Sequence, residues 1–523
     1  MYYFIPSWYA SDESWKMPVS EWYRVGKESE FDDTINHISM FRSEGVKAEI
    51  ISLGYGPQAR YFLHRQGIWP ITNWNVFDRL QSISGDTPCS FSYRDLNWPE
   101  NIEWVFTPFI VAGYVDGELY TEVEFGQHGN LLMINLFSEG KICETLYIDD
   151  RGFLSSIMKW NGIKPGEQLF YNRKGELQFT VKYPEKSVVV EKSSEYRTKR
   201  NNYAVIDDLI KEVLKAKMSQ LNEKKDVVHI AADERHNCMV MEAAKGCVMV
   251  MSFYGDRYNI ENKESLKKDT QGASLIITDT EQLASRINEK VNVGSRIMDI
   301  SPFDTRLSLG KSQQIRELKV FFPQDGMIEP IRSRGIMQML SLLQEDERIM
   351  LIVGTKDSTD AGTRKLKEEM KEKAASLKGT PIYVYDDEGQ IAAGENEAQE
   401  EDDKREPQIF IQTYTNESDV MTILKDIRLI VDIRDDPDQY IQIAGISAGI
   451  PQINYRTTRY IEDQKNGYMI HNIVHLKDAM SYYLQGLAHW NEALVYCVSQ
   501  AEKYTAGTLV GNMRKRIENG LQH

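Results

Sequence analysis

The stretch "DDPDQYIQIAGISAGIPQI" occupies residues 435–453 and decides how the second half of the chain is read. Its centre, Gly445-Ile446-Ser447-Ala448-Gly449, matches G-x-S-x-G, the nucleophile elbow of α/β-hydrolases. An elbow needs a strand before the serine and a helix after it. Here "IPQINYR" follows Ser447, holds Pro451 and reads as a strand. The order is reversed, so Ser447 is not read as a nucleophile. What remains is a turn, Ala448-Gly449-Ile450-Pro451, leading into a strand of an α/β unit.

Working outward, further strands are predicted at "LKVFFPQD", "IMLIVGT", "PIYVYDD", "QIFIQTY" and "IRLIVDI", with helices between them. The same rhythm opens the chain. "YYFIPS" reads as a buried strand, "FDDTINHISMFRSEG" as a helix ending at Gly45, "VKAEIISLG" as a strand and "PQARYFLHRQG" as a short helix. It returns after residue 204 with "YAVIDDLIKEVLKAKMSQL", "DVVHIAAD", "CVMVMSFYG" and "GASLIITD". Strands separated by helices imply parallel pairing through right-handed crossovers. Between these blocks the pattern changes. Residues 101–200 alternate apolar and polar, broken by Asp-Gly, Glu-Gly and Arg-Gly turns, which predicts an antiparallel meander. The expected plan is α/β. Residues 1–100 and 201–310 form a Rossmann-like domain into which the meander (101–200) is inserted. Residues 311–487 form a second Rossmann-like domain, and 488–523 a terminal helix crossing back. The acidic segment 386–407 is expected to be a mobile loop, because it is too polar to bury.

With 523 residues, the chain is too long for one ordinary core. Its net charge of −16 argues against a nucleic-acid binder, since neutralising phosphates needs a basic surface. The start, "MYYFIPSWYASDESWK", lacks the basic and apolar regions of a signal peptide. No stretch approaches the roughly 18 apolar residues of a membrane span. A cytoplasmic protein, peripheral at most at the membrane's inner face, is expected. Its five scattered cysteines fit reduced thiols.

Other motifs are weak. "GKS" at 310–312 lacks the P-loop's upstream glycine, since Thr305 stands there. His471 and His475 have no neighbouring ligand cluster, so no metal and no cofactor are expected. Trp8, Tyr9 and Trp15 head an aromatic N-terminus that suits either core packing or a glycan or partner surface. Arg197, Lys199 and Arg200, with Arg514, Lys515 and Arg516, are basic clusters suited to anionic phospholipid.

Two Rossmann-like halves, a crossing helix and the 435–453 stretch together resemble a GT-B glycosyltransferase. The meander, closest at "YIDDRGFLSSIMKW", resembles the added β-domain of the enzymes that glycosylate serine-rich-repeat adhesins. Within that group the whole chain, from "YYFIPSWY" onward, is similar to the first accessory secretory protein family of the Gram-positive accessory Sec system. That resemblance implies a GT-B-like body that transfers no sugar. It further implies partnership with two sister accessory proteins and the accessory Sec motor ATPase in exporting glycosylated serine-rich-repeat adhesins.

The residues bear on catalysis. In a retaining GT-B enzyme an acidic residue stands five before the glycine of the A-G-x-P turn; here that position is Ala444. The other acidic position keeps Asp436. The loop after the first strand, "SWYASDESWK", has no glycine to admit a diphosphate. Arg332 and Arg334 follow the first strand of the second domain, but apolar helix occupies the clamp lysine's position. Arg332, Arg334, Asp436 and Gly449 are therefore the candidate remnants of a ligand cleft. The alternative is an active retaining glycosyltransferase with a divergent nucleotide-sugar site.

Overall fold

A computed structural model describes residues 1–10, 15–18, 32–126, 129–385 and 406–520. The chain divides into two compact units. One comprises Met1–Val25, Asp33–Ile300 and Asn512–His523, the other Gly26–Asp32 and Ser301–Gly511.

The first unit is built on a seven-stranded parallel sheet. Its strands are β1 (Tyr2–Ile5), β2 (Ala48–Ser52), β3 (Asn73–Asn75) and, after a long insertion, β14 (Val227–Ala231), β15 (Val248–Phe253), β16 (Leu275–Thr278) and β17 (Ile297–Asp299). The order is β17-β16-β15-β14-β1-β2-β3, with every pair parallel. β14 and β15 are buried along their whole length, as parallel strands covered on both faces must be.

The insertion is a ten-stranded antiparallel meander paired in chain order. Its strands are β4 (Glu103–Phe106), β5 (Val111–Val115), β6 (Glu118–Phe125), β7 (Leu131–Ser138), β8 (Lys141–Asp149), β9 (Phe153–Asn161), β10 (Lys164–Tyr171), β11 (Leu177–Lys182), β12 (Ser187–Val190) and β13 (Asn202–Tyr203). One face packs into the core of the parallel sheet. Phe170 and Phe179 stack at 4.3 Å, and Phe170 meets Tyr55 edge-on at 5.1 Å. Phe77 and the helix Ile206–Met218 belong to the same apolar cluster. The meander and the α/β layers thus share one core inside this unit.

A turn between β8 and β9 pins the two together. Arg151 donates to Asp149 at 2.7 and 2.8 Å and, bidentately, to Asp78 at 2.9 and 2.8 Å. Gly152, at φ 81°, ends the turn, and any Cβ there would meet the Cys89 carbonyl at 2.0 Å. Beside it Asp150 accepts the Tyr61 amide at 2.8 Å. Burial, reinforced by the Asp149 charge, pushes the Asp150 carboxyl up to about 7. The folded state therefore holds this proton while the unfolded chain releases it near 3.8. Its stability contribution is full below that lower value and is lost as pH rises through about 7. Asp150→Asn, which keeps an acceptor for Tyr61, is expected to stabilise the protein by about 1–2 kcal/mol at pH 8 and by less than half of that at pH 5, where only part of the interval between the two values has been crossed. Paired urea unfolding curves at the two pH values check this.

The second unit holds a six-stranded parallel sheet: β18 (Leu318–Pro323), β19 (Ile349–Thr355), β20 (Ile409–Thr413), β21 (Ile427–Asp432), β22 (Gln452–Asn454) and β23 (Gly467–Met469). The order is β20-β19-β18-β21-β22-β23. "PIYVYDD" does not become a strand: among its described residues only Val384 makes a single bridge, to Ile409. The stretch 435–453 forms the helix Gln439–Ala448, buried throughout from Tyr440 onward, and then β22. The terminal stretch is two helices, Leu487–Ala501 and Ala506–Gly520, rather than one. The acidic segment lies outside the described residues except at Glu406 and Pro407.

Candidate functional site

In open parallel sheets ligands bind at the carboxyl ends of the strands, where the strand order reverses. In the second unit that point lies between β18 and β21. The segments leaving these strands and β19 carry a dense set of charges, and Arg332, Lys356 and Arg434 are each matched to a carboxylate of the chain itself.

Arg434, just past β21, donates to Asp432 at 2.8 and 2.5 Å. Both side chains are buried, at 8% and 0% exposure. Asp438 caps the following helix, accepting the Ile441 amide at 3.2 Å, and takes Lys356 from the end of β19 at 3.2 Å. Burial opposes ionisation of Asp438, but Arg434 and Lys356 hold its carboxyl below the usual range. After β18, Asp325 accepts from Thr355 at 3.0 Å and from the Lys356 amide at 2.5 Å. Arg332 forks onto Glu369 at 2.7 and 2.8 Å and donates to Gln324 at 2.7 Å and Glu329 at 3.0 Å.

This arrangement has a chemical consequence. A pyrophosphate clamp needs cations whose N–H groups point at the ligand. Here Arg332, Lys356 and Arg434 already serve internal carboxylates. A donor diphosphate would have to displace those carboxylates, and Asp432, whose side chain has no exposed surface, would then lose the guanidinium that balances it, which is costly.

The sequence candidates scatter around this cluster. Arg332 is in it but committed to Glu369. Arg334 is exposed on the next turn of the helix. Asp436 is exposed two residues beyond Arg434, and the carboxylate of the segment that takes Lys356 is instead Asp438, 15% exposed. Gly449 is corrected from ligand contact to helix cap. It sits at φ 72°, its amide is spent on Ile446, and a Cβ would meet Leu494 at 2.2 Å. Ala444 is 2% exposed inside an apolar cluster with Phe321, Ile441 and Ile446. Ser447 lies buried within the helix, in line with its exclusion as a nucleophile.

The aromatic candidates are also corrected as a partner surface. Trp8 and Trp15 are buried at 8% and 6%. The Trp15 indole donates to Asp207 at 2.8 Å, and Tyr9 packs edge-on against it while its hydroxyl meets His236 at 2.8 Å. Trp8 packs edge-on against Phe62 at 4.9 Å, so the two buried indoles are core packing of the first unit, while Tyr9 stays half-buried. Arg197, Lys199, Arg200, Arg514, Lys515 and Arg516 are all exposed. Among the described residues no group of His, Cys, Asp and Glu is arranged to hold a metal ion. No helix among them is long and apolar enough to cross a membrane.

Sequence reasoning missed Lys356, Asp432, Arg434 and Asp438. The run "VDIRDDPD" at the end of a buried strand was the available signal, because charges there must find partners.

The family model for accessory Sec system protein 1 (accessory secretory protein 1) matches residues 1–520. The chain belongs to this family. A curated member from Streptococcus gordonii is 32% identical over 100% of this chain and 99% of its own length. The solved structure of accessory secretory proteins 1, 2 and 3 from Streptococcus pneumoniae matches with TM-score 0.84 and 28% identity, covering 100% of both chains. The pneumococcal O-GlcNAc transferase GtfA, solved with UDP and GlcNAc, matches at TM-score 0.63 over 100% of this chain and 99% of its own. At 13% identity that likeness speaks for the fold alone, which is GT-B-like. As a family member the chain is a component of the accessory Sec secretion system, carried on that fold.

Proposed function

We propose that the chain is a non-catalytic subunit that assembles with two sister accessory secretory proteins. With the accessory Sec motor ATPase, that complex exports glycosylated serine-rich-repeat adhesins. The observation carrying this reading is the end-to-end match to a protein solved together with accessory secretory proteins 2 and 3. The internal pairing of Arg332, Lys356 and Arg434 supports the absence of sugar transfer.

The meander offers a docking edge. β4 is its outermost strand; it carries exposed Val105 and Phe106, at 46% and 62%, and the turn after it carries exposed Phe109, at 54%. An unpaired edge with exposed apolar residues invites strand addition or packing by a partner. Phe106→Asp is expected to leave the isolated chain folded and to cut recovery of the three-protein complex at least about tenfold, the loss of one buried aromatic anchor. Co-expression of the three proteins, followed by size-exclusion chromatography, checks it. Full recovery would remove β4 from the interface.

The exposed basic clusters Arg197, Lys199, Arg200 and Arg514, Lys515, Arg516 suit a peripheral position at the cytoplasmic membrane face. Each cation contributes about 1 kcal/mol near an anionic surface.

A further inference from the structure

At the outer edge of the first unit's parallel sheet, β3 and the β8–β9 turn line an open cleft of about 390 Å³. A smaller pocket adjoins it, sharing Trp69, Asn73, Asp78 and Arg151 with it. The volume falls in the range of small-molecule sites, roughly 300–1,000 Å³. Neither pocket includes any residue of the charged cluster described above.

Its lining combines two kinds of surface. Trp69 and Trp74 are half-buried indoles. Trp69 is held by stacking on His64 at 4.8 Å and by the Arg60 guanidinium at 5.2 Å, and Trp74 packs against the main core. Polar groups with unused capacity share the smaller pocket with Trp69. Asn73 accepts from Ser52 at 2.6 Å, and its Nδ2 makes no hydrogen bond among the described residues. Arg60 Nε is buried without a partner among them. Charges balance without Asp150, which holds its proton up to about 7: Asp78, Asp86 and Asp149, the partner of Arg151, offset Arg60, Arg79 and Arg151. Within the lining, Arg151 and Asp78 are already joined at 2.8 Å. A balanced lining attracts neither a phosphate nor a cation. A rigid indole face with carboxylate and amide partners matches a ligand that has C–H faces and neutral hydroxyls.

We propose that this pocket binds one neutral saccharide unit, a hexose or N-acetylhexosamine, with Trp69 as its apolar face and Asn73, Asp78 and Asp86 as hydroxyl partners. The site stands on its own chemistry; only its link to glycosylated cargo rests on the proposed function.

The test is saturation-transfer NMR and calorimetry on the full chain. The probes are glucose, N-acetylglucosamine, a serine peptide bearing O-linked N-acetylglucosamine, and the same peptide unmodified. Saccharide binding with a dissociation constant on the order of 1 mM is expected, as for a ligand of this size. Trp69→Ala should abolish it. Asp86→Ala, at an exposed position that leaves the fold intact, should weaken it about fivefold, the scale of one lost hydrogen bond. Equal binding of free sugar and glycopeptide, or tighter binding of the glycopeptide, both support the site, and the difference says how the sugar is presented. No saccharide signal, binding that survives both substitutions, or equal binding of the unmodified peptide overturns it. Assembly is read separately. A chain that assembles without binding saccharide overturns this site alone, and one that binds saccharide without assembling overturns the assembly reading alone.

Discussion

Arg434→Leu is expected to lower the stability of the second unit by about 3–5 kcal/mol. The reason is the carboxylate left behind. Asp432 has 0% side-chain exposure, and its partner Arg434, at 8%, supplies two of its hydrogen bonds. Removing the guanidinium strands a charge where water cannot reach it. The Asp438 amide, at 3.1 Å, cannot neutralise it. The double variant Asp432→Asn/Arg434→Leu should recover part of the loss, since the stranded charge is then gone. Urea unfolding of the full-length protein, followed by fluorescence, measures both. An Arg434→Leu midpoint equal to that of the unsubstituted protein would mean the pair is hydrated and the crevice open.

Ala444→Glu should fail twice. It rebuilds the acidic position of a retaining GT-B enzyme, yet Ala444 lies 2% exposed among Phe321, Ile441 and Ile446. The larger side chain overpacks that cluster and brings a carboxylate with no partner there. Together these are expected to cost about 3 kcal/mol or more. Donor affinity should not appear, because Arg332, Lys356 and Arg434 stay bound to Glu369, Asp438 and Asp432. Thermal unfolding and a sugar-nucleotide titration of the same sample read the two effects. A stable variant that gains donor binding would show that one residue alone had silenced a working site.

The architecture was legible wherever apolar runs were long. "LKVFFP" and "IRLIVD" are buried parallel strands, and such strands announce themselves by composition. The meander announced itself by alternation and by glycine turns, as at Asp116-Gly117 and Glu139-Gly140, where φ is positive. Short or polar elements did not register. β23 has three residues, and the helix Lys263–Gln271 is mostly polar with only Leu266, Asp269 and Thr270 buried. "PIYVYDD" has strand composition but pairs at one residue only, because pairing depends on neighbours that composition does not contain.

The candidate site was less legible. Spacing identified Arg332 and Asp436 as remnants but could not say that Arg332 closes on Glu369, which stands 37 residues later on another helix. Nor could it find that Lys356 and Asp438, 82 residues apart, meet at 3.2 Å. Such pairs are made by the sheet order, which brings β19 and β21 to either side of β18. The pocket beside β3 was invisible for the same reason. Residues 69–86 around the edge of one sheet line it together with Arg151 from a turn of another.

With Arg332, Lys356 and Arg434 held by carboxylates of the chain, the GT-B-like body is expected to receive no sugar nucleotide. Calorimetric titration of the purified full chain with UDP-N-acetylglucosamine and UDP-glucose reads this without an assumed acceptor. No heat is expected up to millimolar nucleotide sugar. Micromolar binding that is lost in Asp436→Ala would contradict it and make the chain an enzyme in search of its acceptor.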